Sequence, residues 1–252
     1  MQKRYNRNRI YLSDENQKQI QDFKILLGGA GIGSIVAECA LRMGFENITI
    51  VDGDVVEESN LNRQDYEMSD LGRSKAEALK DRLLRINPEA NIRAIHAFLD
   101  EKNMKDIVPG HHVAINALDF KDRVPFEFDK LLAKEGVSVI HPYNIGFGGL
   151  AIVVKPEGSS LNEISDKALG FEKKVVEYVS DYFKYWAAPK LWIENVLRAY
   201  EREEGALPPP QLPIASWIVG GMCTDILFRL ATGKFVKTFP KFYYYSAGDD
   251  LC

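Results

Sequence analysis

The stretch LLGGAGIGS, residues 26–34, decides the fold. An apolar run meets a glycine-rich turn and passes into helical spacing, the order of a strand, a tight turn and a helix N-terminus. The usual fingerprint is G-x-G-x-x-G. Here Gly28 and Gly33 take the outer places, Ala30 stands at the middle one, and Gly31 lies where the helix begins. Backbone N–H groups from Gly31 to Ser34 can bind phosphate oxygens with help from the helix dipole. Asp52 comes 19 residues after Gly33, at the end of the next apolar run, where a carboxylate can accept from ribose hydroxyls. On these residues alone the site suits NAD, FAD, S-adenosylmethionine or ATP.

Working outward, FKILL (23–27), ITIV (48–51), VAINA (113–117) and VSVI (137–140) are short and apolar on both faces, as buried parallel strands are. Between them, Val36, Cys39, Ala40 and Met43 share one helical face. Ala76, Leu79, Leu83 and Ile86 share another, in a helix ended by Asn87-Pro88. The alternation predicts a doubly wound, mostly parallel, Rossmann-like α/β sheet with ligands at the carboxyl ends of its strands.

The text changes after Gly146. GLAIVVKP (149–156) predicts a strand leaving the parallel part, and 170–204 two aromatic-rich helices separated at Pro189. The spacing of Phe171, Val175, Val179, Tyr182, Phe183 and Trp186 predicts one packed stripe. GALPPPQLP (205–213) reads as a stiff linker, 214–231 as an apolar helix, and KFYYYS (241–246) as a closing strand. The expected organisation is a single domain over 1–252. It has a nucleotide-binding core at about 20–148, a helical insertion at about 157–213 and a C-terminal helix with antiparallel extension at about 214–252.

With 252 residues, 46% hydrophobic and 27% charged, the composition is that of a soluble globular protein. A net charge of −4 gives no overall attraction to nucleic acid. The apolar runs fall short of the roughly 20 residues of a membrane span, and the N-terminus lacks a signal-peptide core. Cys39, Cys223 and Cys252 form no C-x-x-C pair, which points away from zinc and disulfides and toward the cytoplasm.

The loop VDGDVVEESNLNRQ (51–64) separates the nucleotide classes. It carries Asp52, Asp54, Ser59, Asn60 and Arg63 over the crevice. An NAD enzyme has no use for an arginine there, whereas an enzyme acting on a nucleoside triphosphate must neutralise charge on the transferring phosphate and the leaving pyrophosphate. Lys75, opening the next helix, is a second candidate cation. Asp119 follows the strand VAINA and is placed to hold hydrated Mg2+, to cap a helix beginning near Lys121, or to do both. His141 and Asn144, in HPYNIGFGG, are expected to rim the same crevice, with glycines 146, 148 and 149 leaving room for a thin peptide tail.

RYNRNRI (4–10), the glycine turn, DGDVVEESNLNRQ, the lysine of GRSKAEAL, INPEANI (86–92) and the aspartate of NALDF stand in the order of the ThiF/MoeB/HesA superfamily, which the chain resembles over roughly residues 4–154. The resemblance implies an adenylyltransferase of the ubiquitin-activating type. ATP and Mg2+ would be used to activate a carboxylate, usually the C-terminal glycine of a ubiquitin-like or sulfur-carrier protein, within a homodimer. Carried over by motif, Asp52 would hold the ribose and Gly31 with Ser59 to Arg63 would line the nucleotide, with Gly28, Ala30, Gly33 and Asp54 in the same nucleotide-binding set. Arg63 and Lys75 would neutralise phosphate, Asp119 would bind magnesium, and Phe120 stands where relatives keep an asparagine in the nucleotide site. Arg7 would be donated to the partner subunit's site. No cysteine occurs between residues 40 and 222, where relatives keep the acceptor thiol, so the chemistry is expected to stop at the adenylate. Two other readings stay open: activation of a non-protein carboxylate, as in threonylcarbamoyl-adenosine dehydratases, and a catalytically reduced nucleotide-binding interaction module.

Overall fold

The computed structural model describes residues 3–203 and 207–249. Its strands are β1 (Lys24–Gly28), β2 (Asn47–Val51), β3 (Asn91–Ile95), β4 (Val113–Asn116), β5 (Ser138–Asn144), β6 (Gly148–Val154) and β7 (Tyr243–Ser246). The helices are α1 (Asp14–Asp22), α2 (Ile32–Met43), α3 (Lys75–Ile86), α4 (Met104–Ile107), α5 (Val124–Lys134), α6 (Phe171–Tyr185), α7 (Leu191–Glu201) and α8 (Pro213–Ala231). The strands form one sheet in the order β3-β2-β1-β4-β5-β6-β7. The first five are parallel, and β6 and β7 add antiparallel at the end. After β3 the chain returns to lay β4 beside β1, so the crossovers diverge there and open a crevice above the carboxyl ends of these two strands.

β1, β4 and β5 are buried on both faces, which explains their uninterrupted apolar runs. β3 escapes such a reading because it is an edge strand in which Ile92 alone is buried. Leu27, Val36, Ala40, Ile50, Leu79 and Leu83 fill one face of the sheet beneath α2, α3 and α8. Leu26, Ala114, Phe128 and Leu132 fill the other beneath α5. A second aromatic cluster joins Phe171, Val175 and Val179 of α6 to Phe120, Phe126, Phe239 and Phe242. The predicted stripe therefore packs along most of its length. Its far end does not: Trp186 lies past the helix end and is exposed.

α8 is apolar nearly all round because it is enclosed by α2, β5 and β6. By length and composition it could cross a bilayer, yet Ala215, Val219, Cys223, Ile226 and Leu227 are fully buried against the sheet, as in a core helix.

Candidate nucleotide site

The strained position of the glycine turn is Gly29, one place from the fingerprint glycine expected. Its φ is +91°, and a Cβ there would lie 2.4 Å from the carbonyl oxygen of Ala117. Gly28 and Gly33 are glycine for packing: added Cβ atoms would come 2.9 Å from the Phe128 ring and 2.6 Å from Leu27. Gly31 is the N-cap of α2, with no side-chain cap on the helix N-terminus. A Cβ at Gly31 would meet Gln64 alone, at ordinary contact distance. The methyl of Ala30 is buried in the core beneath the turn, so it takes no room from a phosphate. The Ala30 carbonyl accepts from Tyr66 Oη at 2.8 Å, which fixes the turn from the opposite side.

Asp52 is buried and accepts N–H bonds from Ala30 at 2.6 Å and Asp54 at 2.7 Å. Burial raises its pKa, and these N–H groups and Lys75 work against that rise. The two bonds orient the carboxylate while each oxygen keeps a lone pair for a ribose hydroxyl. Lys75 is drawn in from the solvated helix surface that its sequence position implies. Its side chain is 10% exposed, and Nζ lies 3.2 Å from Asp54 Oδ2.

Asn60 serves the loop and does not line the crevice. It is buried, and its Oδ1 accepts from Glu57 N at 3.0 Å in a reciprocal cap that closes the turn 58–60. That turn presents Arg63. Its Nη1 donates to Ser59 O at 2.7 Å and Asn62 Oδ1 at 2.8 Å, and its Nε to Gln211 Oε1 at 2.6 Å. Partial burial lowers the guanidinium pKa, and the facing Asp119 carboxylate opposes the shift.

Asp119 is exposed and 3.1 Å from Lys121 Nζ. The helix expected near Lys121 starts at Val124, whose N–H is taken by Asp122, so Asp119 does not cap it. The hydrogen bond with Asp119 raises the Lys121 pKa, with Asp54 and Glu57 adding to it. Lys121 is thus a further cation beside Asp119, missed because its neighbourhood reads as the start of a helix. An accessible carboxylate suits hydrated magnesium, which takes its remaining ligands from water and phosphate. Among the described residues no three His, Cys, Asp or Glu side chains cluster as a metal cage.

Several expected residues lie elsewhere. The ring of Phe120 is buried against Phe126 and Phe171, with centroids 5.1 and 4.4 Å away, and takes no part in the crevice. His141 is inside β5, because the strand continues to Asn144. It is 1% exposed and 3.1 Å from Asp129 Oδ2 on the α5 side. Asn144 does reach the rim and bonds Leu212 and Ser216. Gly148 and Gly149 form no channel, since a Cβ at Gly149 would stand 2.7 Å from Ile218 and one at Gly148 3.1 Å from Tyr245 O. Arg7 is exposed on a 3-10 turn, Lys3–Asn8, whose Asn8 binds the Met43 carbonyl at the C-terminal end of α2. That is the end of the sheet opposite the crevice. Cys223 is buried, which pushes its thiol pKa well up, and Cys252 lies outside the described residues.

An open doubly wound sheet with an uncapped helix N-terminus and charged loops at the carboxyl ends of its strands is an α/β fold of the nucleotide-binding type. Comparison with known families matches residues 5–249 to the ThiF family, and the chain belongs to it. It is 29% identical over 160 residues to the SAMP-activating enzyme E1 of Haloferax volcanii, covering 62% of this chain and 58% of that protein. It is 32% identical over 120 residues to the molybdopterin-synthase adenylyltransferase of Salmonella typhimurium, covering 46% and 48%. The matches span about half the length of these curated relatives. The solved complex of E. coli MccB with AMPCPP and MccA superposes with a TM-score of 0.67 at 18% identity, over 97% of this chain and 71% of that one.

Proposed function

We propose that this protein is an ATP-dependent adenylyltransferase acting on the C-terminal carboxylate of a ubiquitin-like or sulfur-carrier protein or a peptide. The observation that carries the reading is a chain of charge contacts at the strand ends: Arg63 and Lys121 both face Asp119, and Lys75 and Lys121 both face Asp54. The relatives' names support the reaction class.

In the proposed reaction a carboxylate oxygen bonds to the α-phosphorus of ATP. The bond from that phosphorus to the α–β bridging oxygen breaks, and pyrophosphate leaves with the electron pair. Asp52 holds the ribose, and the amides from Gly31 onward face phosphate oxygens. Arg63 and Lys75 sit where negative charge gathers on the leaving group, the task in which fixed cations act most strongly. Asp119 would hold Mg2+, which when bound supplies further charge neutralisation at the phosphates. We place the enzyme in the cytoplasm as a homodimer, with Arg7 reaching the partner subunit's crevice.

Pyrophosphate exchange into ATP, with a panel of Gly-Gly-ended carriers and peptides, tests the reading. Exchange that requires a carboxylate and is lost in Arg63→Ala is the expected result. ATP binding with no exchange across the panel supports an interaction module instead.

A further inference from the structure

Arg63 is held from the far end of the chain. Gln211 Oε1 accepts from its Nε, while Ser59 O and Asn62 Oδ1 accept from Nη1. The guanidinium is a rigid planar fork, so fixing two edges aims the third. Nη2 has no hydrogen-bond partner among the described residues and shares the crevice with Asp119.

The segment carrying Gln211 is tied at both ends. Tyr200 Oη, on α7, donates to Leu207 O at 2.9 Å. Asn144, at the end of β5, donates to Leu212 O at 2.8 Å and accepts from Leu212 N at 3.3 Å. Pro208, Pro209 and Pro210 between the ties stiffen the segment. A side chain on such a strap transmits its anchorage to whatever it touches. Gln211 is also neutral. An amide orients the guanidinium without cancelling its charge, whereas a carboxylate there would compete with phosphate for it.

The geometry points to Gln211 as a positioning residue for Arg63, and to residues 207–212 as a strap that couples the helical insertion to the phosphate end of the crevice. This inference rests on the adenylation reading. The site is then not complete in the β1–α2–β2 core: its principal cation is aimed by a residue that the insertion delivers.

Steady-state pyrophosphate exchange with ATP and an accepted carboxylate, in single and double variants, tests it. Gln211→Ala is expected to lower kcat about tenfold, because an Arg63 no longer held at Nε meets the charge of the transition state less well. Gln211→Glu is expected to keep kcat closer to wild type and to raise KM for ATP. Tyr200→Phe should lower kcat about two- to threefold. In an Arg63→Lys background, which keeps a cation but not the Nε–H that Gln211 holds, Gln211→Ala and Tyr200→Phe should add nothing to the residual rate. Unchanged kcat in Gln211→Ala, or the same proportional loss in both backgrounds, overturns the strap while leaving adenylation intact. No exchange in the wild-type protein overturns the adenylation reading itself. The Arg63 Nε–H resonance gives an activity-independent arm: its hydrogen exchange should speed up about tenfold in Gln211→Ala, and an unchanged rate removes the contact from the solution structure.

Discussion

The backbone N–H of Ala30 donates to Oδ2 of Asp52 across 2.6 Å, joining the glycine turn after β1 to the carboxylate after β2 in one buried contact. Asp52 therefore shapes the turn before any nucleotide arrives. In Asp52→Ala the amides of Ala30 and Asp54 lose their acceptor, at about 1–3 kcal/mol for a buried group left unpaired. Urea denaturation should show a loss of about 2 kcal/mol or more, together with lost ATP binding. Asp52→Asn should recover part of the stability, since its oxygen can still accept one of the two bonds.

Ala30→Gly restores the usual fingerprint and should gain nothing. The methyl lies in the core beneath the turn. Its removal costs about 0.8 kcal/mol of burial and about 0.5–1 kcal/mol in backbone freedom. Denaturation should show a loss of about 1–2 kcal/mol, with KM for ATP within about twofold of wild type. A KM that falls tenfold would mean the methyl does meet the nucleotide.

Lys121→Ala should lower exchange about tenfold and leave the melting temperature within about 1 °C. The pair with Asp119 is exposed on both sides, and exposed ion pairs contribute little to stability. Any larger effect of Lys121 must come through bound phosphate, so raised ionic strength should shrink the gap between variant and wild type.

Beside the Arg63 loop, Glu38 of α2 and Asp65 share Arg82 of α3. Arg82 Nε lies 2.5 Å from Glu38 and Nη2 3.0 Å from Asp65, with Arg42 2.7 Å from Glu38. Burial and the neighbouring Glu38 push the Asp65 pKa up to about 7, while Glu38 is lowered. Glu67 and Arg85 complete the charged groups around them. A carboxyl with a raised folded-state pKa binds more protons folded than unfolded, so stability falls as pH rises through that interval. The urea midpoint should decline from about pH 5 through 7 and level off only above about pH 8, where Asp65 is ionised in both states. Asp65→Asn should flatten that slope, and a slope that persists assigns the proton elsewhere.

How much of this was legible in the sequence follows from what each residue touches. The central parallel strands and α8 could be read because burial nearly all round leaves an apolar run, and α2 and α3 because one buried face leaves apolar residues at helical spacing. β3, an edge strand with one buried residue, leaves none. Arg63 and Asp119 stood out as candidates because charge in a loop at a strand's carboxyl end has few structural uses, whereas Lys75, on a helix, stood out only through the family resemblance. Gln211 did not: its contact with Arg63 spans 148 positions, and a glutamine after three prolines carries no local signal. His141, Gly148 and Gly149 were read as rim and channel because nothing local reveals that β5 and β6 run on past the parallel sheet and pack beneath α8.

Arg7 separates a monomer from a working dimer. It stands exposed at the C-terminal end of α2, while the crevice lies at the N-terminal end of that helix. A 12-residue helix is about 18 Å long, beyond the reach of an arginine side chain, so Arg7 cannot serve the crevice of its own subunit. Under the proposed homodimer it serves the other one. Arg7→Ala should then lower exchange about a hundredfold without changing the melting temperature, as removal of a transition-state cation does. Mixing Arg7→Ala with the equally inactive Arg63→Ala should restore activity. In the heterodimer one crevice keeps its own Arg63 and receives a wild-type Arg7, and the other lacks both. With random exchange of subunits half of the dimers are mixed, each with one working site, so about a quarter of wild-type activity should return. No recovery, with mixed dimers confirmed by native mass spectrometry, would confine Arg7 to its own subunit and remove the donated arginine.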